Sequence, residues 1–235
     1  MKIFKISLMA LLAVFFTACD KETADLSVST YYVAFDIQGD NPLIVQVGGT
    51  FVDPGCVATE KGVDVTSTKM VTKSNVDPAV MGLYQVEYSA VNKDGLKSRA
   101  IRNVIVCNPS VTTDISGEYY AAPGTRRIHT NGTITPYTSA TYKCTIERLA
   151  PGFFSVTDFF SGYYAVRAGY GSNYAMTGYI ALNPDNTIGM VSSNVKGWGD
   201  GLDALRNGVY NPLLGTIYWE ADYASAMTFY VTLTK

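Results

Sequence analysis

The chain is short of the groups that most chemistries need. It has one histidine, His129, in 235 residues, and only 16% of the chain is charged. No run of Lys and Arg is long enough to track a nucleic-acid backbone, and the formal net charge is −2, so nucleic acid is not an expected partner. Phosphate loops and dinucleotide fingerprints are missing, as is a GxSxG nucleophile elbow. The four cysteines lack CxxC spacing and have a single histidine to work with, which argues against a zinc site. Asp200 and Asp203 match no calcium-loop signature. No cofactor or metal is implied. After the first residues, no apolar stretch is long enough to span a membrane as a helix.

What is abundant is tyrosine and glycine, 17 and 21 residues. Tyr, Thr and Val favour half-buried pleated surfaces and Gly marks their turns. From about residue 110 onward no segment has a helical period. The expected fold class is all-β.

The N-terminus is organised differently. Lys2 and Lys5 precede an apolar run from Ile6 to Ala18. At about 13 residues it is too short to cross a hydrocarbon core of roughly 30 Å, and it has the form of a secretory signal. The run ends Phe16-Thr17-Ala18-Cys19, which resembles the lipobox of bacterial lipoproteins, with Phe16 in place of the usual Leu, a Bacteroides-type variant. That resemblance implies cleavage after residue 18, lipidation of Cys19 and anchoring to the outer membrane. The following Asp20, Lys21 and Glu22 resemble the surface-export signal of such proteins. The expected organisation is a signal peptide over 1–18, a tether over 19–26, and two β domains over 27–108 and 109–235, joined at Asn108-Pro109-Ser110.

In the first domain, strands are expected over 31–37, 43–47, 57–59, 63–71, 84–91 and 98–106. Asp53-Pro54-Gly55 and Lys93-Asp94-Gly95 supply turns, and the spacing points to a sandwich. The segments GGTFVDPGCVATEKGVDVT and NVDPAVMGLYQVEYSAVNKDGLKSRAIRNVIV resemble the immunoglobulin-like module of some insecticidal crystal toxins and many Bacteroides surface lipoproteins. The resemblance implies a spacer that holds a second domain off the membrane. An exported compartment permits a disulfide, and Cys56 and Cys107 lie near the start and end of this domain. Either they bridge, or Cys56, Cys107 and Cys144 are three small buried hydrophobes.

In the second domain, strands are expected over 117–121, 140–149, 153–160, 163–168, 175–182, 187–192, 208–211, 216–223 and 227–234, with a turn at Asp203 to Asn207. Sequential antiparallel strands of this kind close into a barrel or fold into a sandwich. In the last two, Ile217, Trp219 and Ala221 share a face, opposed by Met227, Phe229, Val231 and Leu233. Gly162-Tyr163-Tyr164, Gly169-Tyr170-Gly171, Trp198-Gly199-Asp200 and the ending Trp219-Glu220-Ala221-Asp222-Tyr223 resemble an uncharacterised C-terminal domain of Bacteroides lipoproteins. That family sits in glycan-utilisation systems beside outer-membrane importers, so an importer complex is an implied partner.

The candidate ligand site is Lys196-Gly197-Trp198-Gly199-Asp200-Gly201. A Trp in a glycine-rich loop has no obvious core face. An exposed indole offers a flat platform to the C–H face of a sugar, and Asp200 can accept from hydroxyls; alternatively Trp198 plugs one end of the barrel. Tyr170 and Tyr174 add rings if their loop reaches the same end. The expected partner is an oligosaccharide or polysaccharide, bound without catalysis. A triad must use His129, placed in a polar turn. Glu220 and Asp222, on one strand face and about 7 Å apart, are the pair a glycoside hydrolase would need; a solvated face is the other reading.

Overall fold

The computed structural model describes residues 29–235. The signal, Cys19 and the tether lie outside the described residues. Among those described, no helix is long and apolar enough to cross a membrane.

The first domain is a sandwich of two small sheets. One contains β1 (Val33–Ile37), β3 (Cys56–Glu60) and β4 (Val63–Asp64). The other runs β2 (Leu43–Gln46), β7 (Lys97–Cys107), β6 (Gly82–Val91), β5 (Val71–Ser74), with β2 and β7 parallel. Alternation along β6 and β7 sends Val86, Tyr88, Val104 and Val106 into the core. Also inside is Arg102, fully buried. It pairs with Asp53 at 3.0 Å and donates to the carbonyls of Gln38, Asp40 and Gly55. Tyr88 donates to the same carboxylate at 2.6 Å. Burial, with that bond second, pushes the Tyr88 hydroxyl up to about 12.

The expected strand at Val63 to Val71 is interrupted. A one-turn helix, Thr66–Lys69, separates β4 from β5. Its start is fixed by side chains: the Thr66 amide donates to Asp64, and the Thr66 hydroxyl accepts from the Ala58 amide. Such local bonds compete with a sheet ladder.

Cys56 and Cys107 do not bridge; all three described cysteines are free and buried. The period of two explains it. Val104 and Val106 face the sandwich core that holds Cys56. Ile105 and Cys107 leave β7 on the opposite face and pack against Ala150 and Phe153 of the second domain. The reading of three small buried hydrophobes holds instead.

The second domain is a barrel. β8 (Gly117–Ala121), β11 (Ser139–Ala150), β12 (Phe153–Val156), β13 (Met176–Leu182), β14 (Thr187–Val195), β15 (Ala204–Asn211), β16 (Thr216–Tyr223) and β17 (Met227–Thr234) pair in series. Leu233↔Ala121 and Thr234↔Tyr120 close the ring. A hairpin of β9 (Arg126–His129) and β10 (Ile134–Pro136) extends it, with β9 against the first half of β17. The interior is built by alternation: Ile217, Trp219, Ala221, Phe229, Val231 and Leu233 are all fully buried, and the Trp219 indole donates to the Phe159 carbonyl at 2.9 Å.

Three local readings change. Tyr163 to Ala168 is not a strand but a turn of π-helix, Tyr163–Arg167. Asp203 to Asn207 is largely the start of β15, with a bulge between Arg206 and Val209. Residues 126–129, expected in a turn, form β9.

Strand direction orders the molecule. Tyr31, just before β1, accepts a bond from Asn92 in the β6–β7 turn, while Cys107 at the other end of β7 meets the β11–β12 turn of the barrel. The connections 157–175, 196–203 and 224–226 lie at the opposite barrel end. The N-terminal strand and these loops therefore occupy opposite poles.

Candidate ligand-binding site

The far barrel end is organised from a buried carboxylate. Asp158 accepts backbone bonds from Phe160 at 2.9 Å, Gly162 at 2.8 Å and Met176 at 3.1 Å. Ser161 and Gly162 are left-handed, and a Cβ at Gly162 would meet the Tyr142 backbone at 3.2 Å. This reverses the chain into the π-turn and stands Tyr163 and Tyr164 in the barrel mouth. Burial outweighs the three amide bonds and pushes the Asp158 carboxyl up to about 6.

On this base sits a column of rings. Phe229 and Phe160 are 4.1 Å apart between centroids, Phe160 and Tyr164 5.5 Å, and Tyr164 and Trp198 4.9 Å. The loop after β14 carries Trp198. The amides of Trp198 and Gly199 both bond the Val195 carbonyl, which folds the loop tightly and projects the indole. The Gly197 amide bonds the Asn173 carbonyl at 2.7 Å, tying this loop to the one bearing Tyr174. A Cβ at Gly197 would lie 2.6 Å from the Tyr174 ring and push it aside, so the close approach of the two loops relies on glycine there.

Three of the four sequence-predicted residues thus meet. Tyr170, Tyr174 and Trp198 line one open corner. Tyr174 and Trp198 are 4.8 Å apart at 65°, Tyr170 and Trp198 6.1 Å at 86°, and Tyr170 and Tyr174 5.4 Å at 70°. Trp198 is 41% and Tyr170 55% exposed. The rings form a corner rather than one flat plane.

Asp200, the fourth, does not line the corner. Its carboxylate accepts from the Tyr223 hydroxyl at 3.1 Å to both oxygens. Burial, then that bond, raises the Tyr223 hydroxyl. Sequence reasoning missed Tyr164 and Tyr223, the buried rings behind Trp198. Tyr223 was legible, since it continues the inward series Ile217, Trp219, Ala221. Tyr164 was hidden by the strand reading of its segment.

The pair considered for hydrolysis is engaged elsewhere. Arg206 bonds Glu220 at 2.9 Å and Asp222 at 2.6 Å, and Thr228 donates to Asp222. The Arg206 bond is the main cause that lowers the Asp222 carboxyl. A surface hollow does bring His129, Ser225, Asp203 and Asp222 to one place. Local backbone and turn contacts engage them: Asp203 accepts from the Ser225 amide, and the His129 ring contacts Thr130 and Asn131 of its own turn.

Residues 108–235 match a family model described as a "-like, C-terminal domain", and residues 35–106 match "Bacterial surface protein, Ig-like domain". No curated protein matches the chain. Among solved structures, the lipoprotein BT2262 from Bacteroides thetaiotaomicron is 34% identical, over 87% of this chain and 100% of that one, at a TM-score of 0.49. Two structures from Clostridium perfringens ZmpB are more distant. The M60 catalytic domain with CBM51-1 and CBM51-2 is 16% identical over 54% of this chain and 15% of that one, TM-score 0.29. CBM51-2 in complex with GlcNAc and INT domains is 18% identical over 53% of this chain and 31% of that one, TM-score 0.29. Likenesses that remote carry no weight here. The chain carries an Ig-like domain ahead of a β-barrel. It belongs to the family of the lipoprotein BT2262.

Proposed function

We propose that this is a lipid-anchored protein of the outer membrane, exposed on the cell surface, whose barrel binds an oligosaccharide without catalysis as part of a glycan-utilisation system. The anchor is Cys19, freed by removal of residues 1–18. Two or more acyl chains, at about 0.8 kcal/mol per buried CH₂, hold a soluble domain on a bilayer. The lipoprotein name of the relative supports this reading.

The observation that carries the binding function is the meeting of Tyr170, Tyr174 and Trp198 in one exposed corner. It stands at the pole opposite the N-terminal strand, so a chain tethered at its start holds this corner outward, with the Ig-like domain as spacer. Ring faces offer apolar area to sugar C–H groups, and the tyrosine hydroxyls orient the ligand. The test is a glycan microarray probed with the chain lacking residues 1–19, alongside Tyr170→Ala and Tyr174→Ala. Signal on a defined glycan group that both variants lose is expected; an array with no signal overturns the reading.

A second reading, an accessory subunit of an importer complex, has one observation in its favour. Leu213 and Leu214, at the tip of the β15–β16 hairpin, are 93% and 73% exposed. Adjacent leucines so fully in water are the kind of surface a protein partner covers.

A further inference from the structure

Two arginines stand at the mouth that carries the aromatic corner. Arg127 lies opposite Phe229 in the β9–β17 ladder, so its side chain leaves the sheet on the inward face, toward the mouth. Its guanidinium lies over the Tyr163 ring, 5.0 Å from the centroid. Arg167, at the end of the π-turn, lies over the same ring at 5.2 Å. Neither has a carboxylate at ion-pair distance among the described residues.

Three other arginines are paired with carboxylates. Arg102 has Asp53, Arg206 has Glu220 and Asp222, and Arg148 has Asp114. Arg127 meets only neutral groups, a long bond to Thr135 Oγ1 at 3.4 Å and one to the Tyr164 hydroxyl, and its buried Nε donates to nothing. Stacking on Tyr163 offsets part of the desolvation of a guanidinium but leaves its charge uncompensated. Asp200, the carboxylate beside the corner, is engaged by Tyr223 instead.

The charges and the corner are close enough for one ligand. Steps of 5.0, 5.0 and 4.9 Å lead from the Arg127 guanidinium through Tyr163 and Tyr164 to Trp198. A short oligosaccharide covers that span. We propose that the ligand is an acidic glycan, with one sugar against Trp198, Tyr170 and Tyr174 and a carboxylate or sulfate taken by Arg167 and Arg127. Guanidinium forks suit such planar or trigonal oxygen groups. This inference rests on the glycan-binding reading above and narrows it.

The test is calorimetry of the chain lacking residues 1–19. The probes are oligogalacturonates with their carboxyl-reduced counterparts, heparin oligosaccharides with their desulfated counterparts, and neutral manno- and xylo-oligosaccharides. The first variant is Arg167→Gln, an exposed position whose change leaves the core intact; Arg127→Gln is the second. At least one acidic probe is expected to bind, to weaken by about tenfold or more when its charge is removed or Arg167 is replaced, and to lose binding in Trp198→Ala. Loss on carboxyl reduction identifies a carboxylate, and loss on desulfation identifies a sulfate. Equal binding of charged and neutralised probes, or an unchanged Arg167→Gln, overturns the acidic ligand and leaves glycan binding standing. Acidic binding that survives Trp198→Ala is bulk charge attraction and also overturns it. No binding by any probe overturns both.

Discussion

The Trp198 indole stands edge-on to the Tyr164 ring, centroids 4.9 Å apart at 87°. Tyr164 is buried and Trp198 is not. One ring belongs to the core and the next to solvent, so the barrel's hydrophobic interior continues without a break into the candidate site. The corner is held by packing from below, and this makes its supports separable from its binding face.

That separation predicts different behaviour for the two rings. Tyr164→Ala removes a nearly buried aromatic and is expected to cost about 2–3 kcal/mol, somewhat under the range for fully buried rings. Trp198→Ala removes a ring that is 41% exposed and is expected to cost less, about 1–2 kcal/mol. Urea unfolding of both variants checks this.

The two tryptophans differ as sharply. Trp219 is fully buried with its indole N–H bonded, while Trp198 is 41% exposed. In Trp219→Phe the remaining fluorescence should be readily quenched by acrylamide. In Trp198→Phe it should be protected until the chain unfolds.

How much of this was legible depended on whether the deciding contacts were local. Alternation in β16 and β17 identified Ile217, Trp219 and Ala221 as interior, because a period of two needs only neighbouring residues. Tyr163 to Ala168 looked like a strand by composition. What overrode it was the Asp158 carboxylate binding the Phe160 and Gly162 amides, together with two left-handed residues. Arg126 to His129 looked like a turn because its partner, β17, lies about a hundred residues away in sequence and closes a register no local pattern encodes. Trp198, Tyr170 and Tyr174 could be named as loop aromatics, but their meeting depends on a bond from Gly197 to Asn173 that only the fold brings about.

Asp158 gives a pH dependence with a definite sign. Its folded carboxyl is pushed up to about 6 from 3.8, so the folded state holds the proton more tightly than the unfolded one. Its contribution is fully present below pH 3.8 and is lost as pH rises through 6, a swing on the order of 2–3 kcal/mol at about 1.4 kcal/mol per unit. Asp158→Asn is expected to lower stability overall and to flatten this part of the profile. Urea midpoints from pH 4 to 7.5 for both proteins measure it.

Arg102 is the interior charge of the first domain. Removing one partner of a buried ion pair costs about 3–5 kcal/mol. Arg102→Ala also strands the Gln38 and Asp40 carbonyls, so it should fall at the upper end. Thermal unfolding should show the first domain melting well before the barrel.

The cysteines should behave as buried thiols. Cys144 is pushed up to about 12 by burial, and Cys56 and Cys107 are raised by the same cause. The native chain lacking residues 1–19 is expected to react slowly with a thiol reagent and the unfolded chain to yield three thiols, Cys56, Cys107 and Cys144.

The most direct measurement is calorimetry of a glycan that scores on the array, titrated into the chain lacking residues 1–19 and into its Trp198→Ala variant. The account predicts saturable binding to the first and none to the second, with both folded. Equal binding to the two would contradict it, because the sugar would then be held somewhere other than the corner of Trp198, Tyr170 and Tyr174.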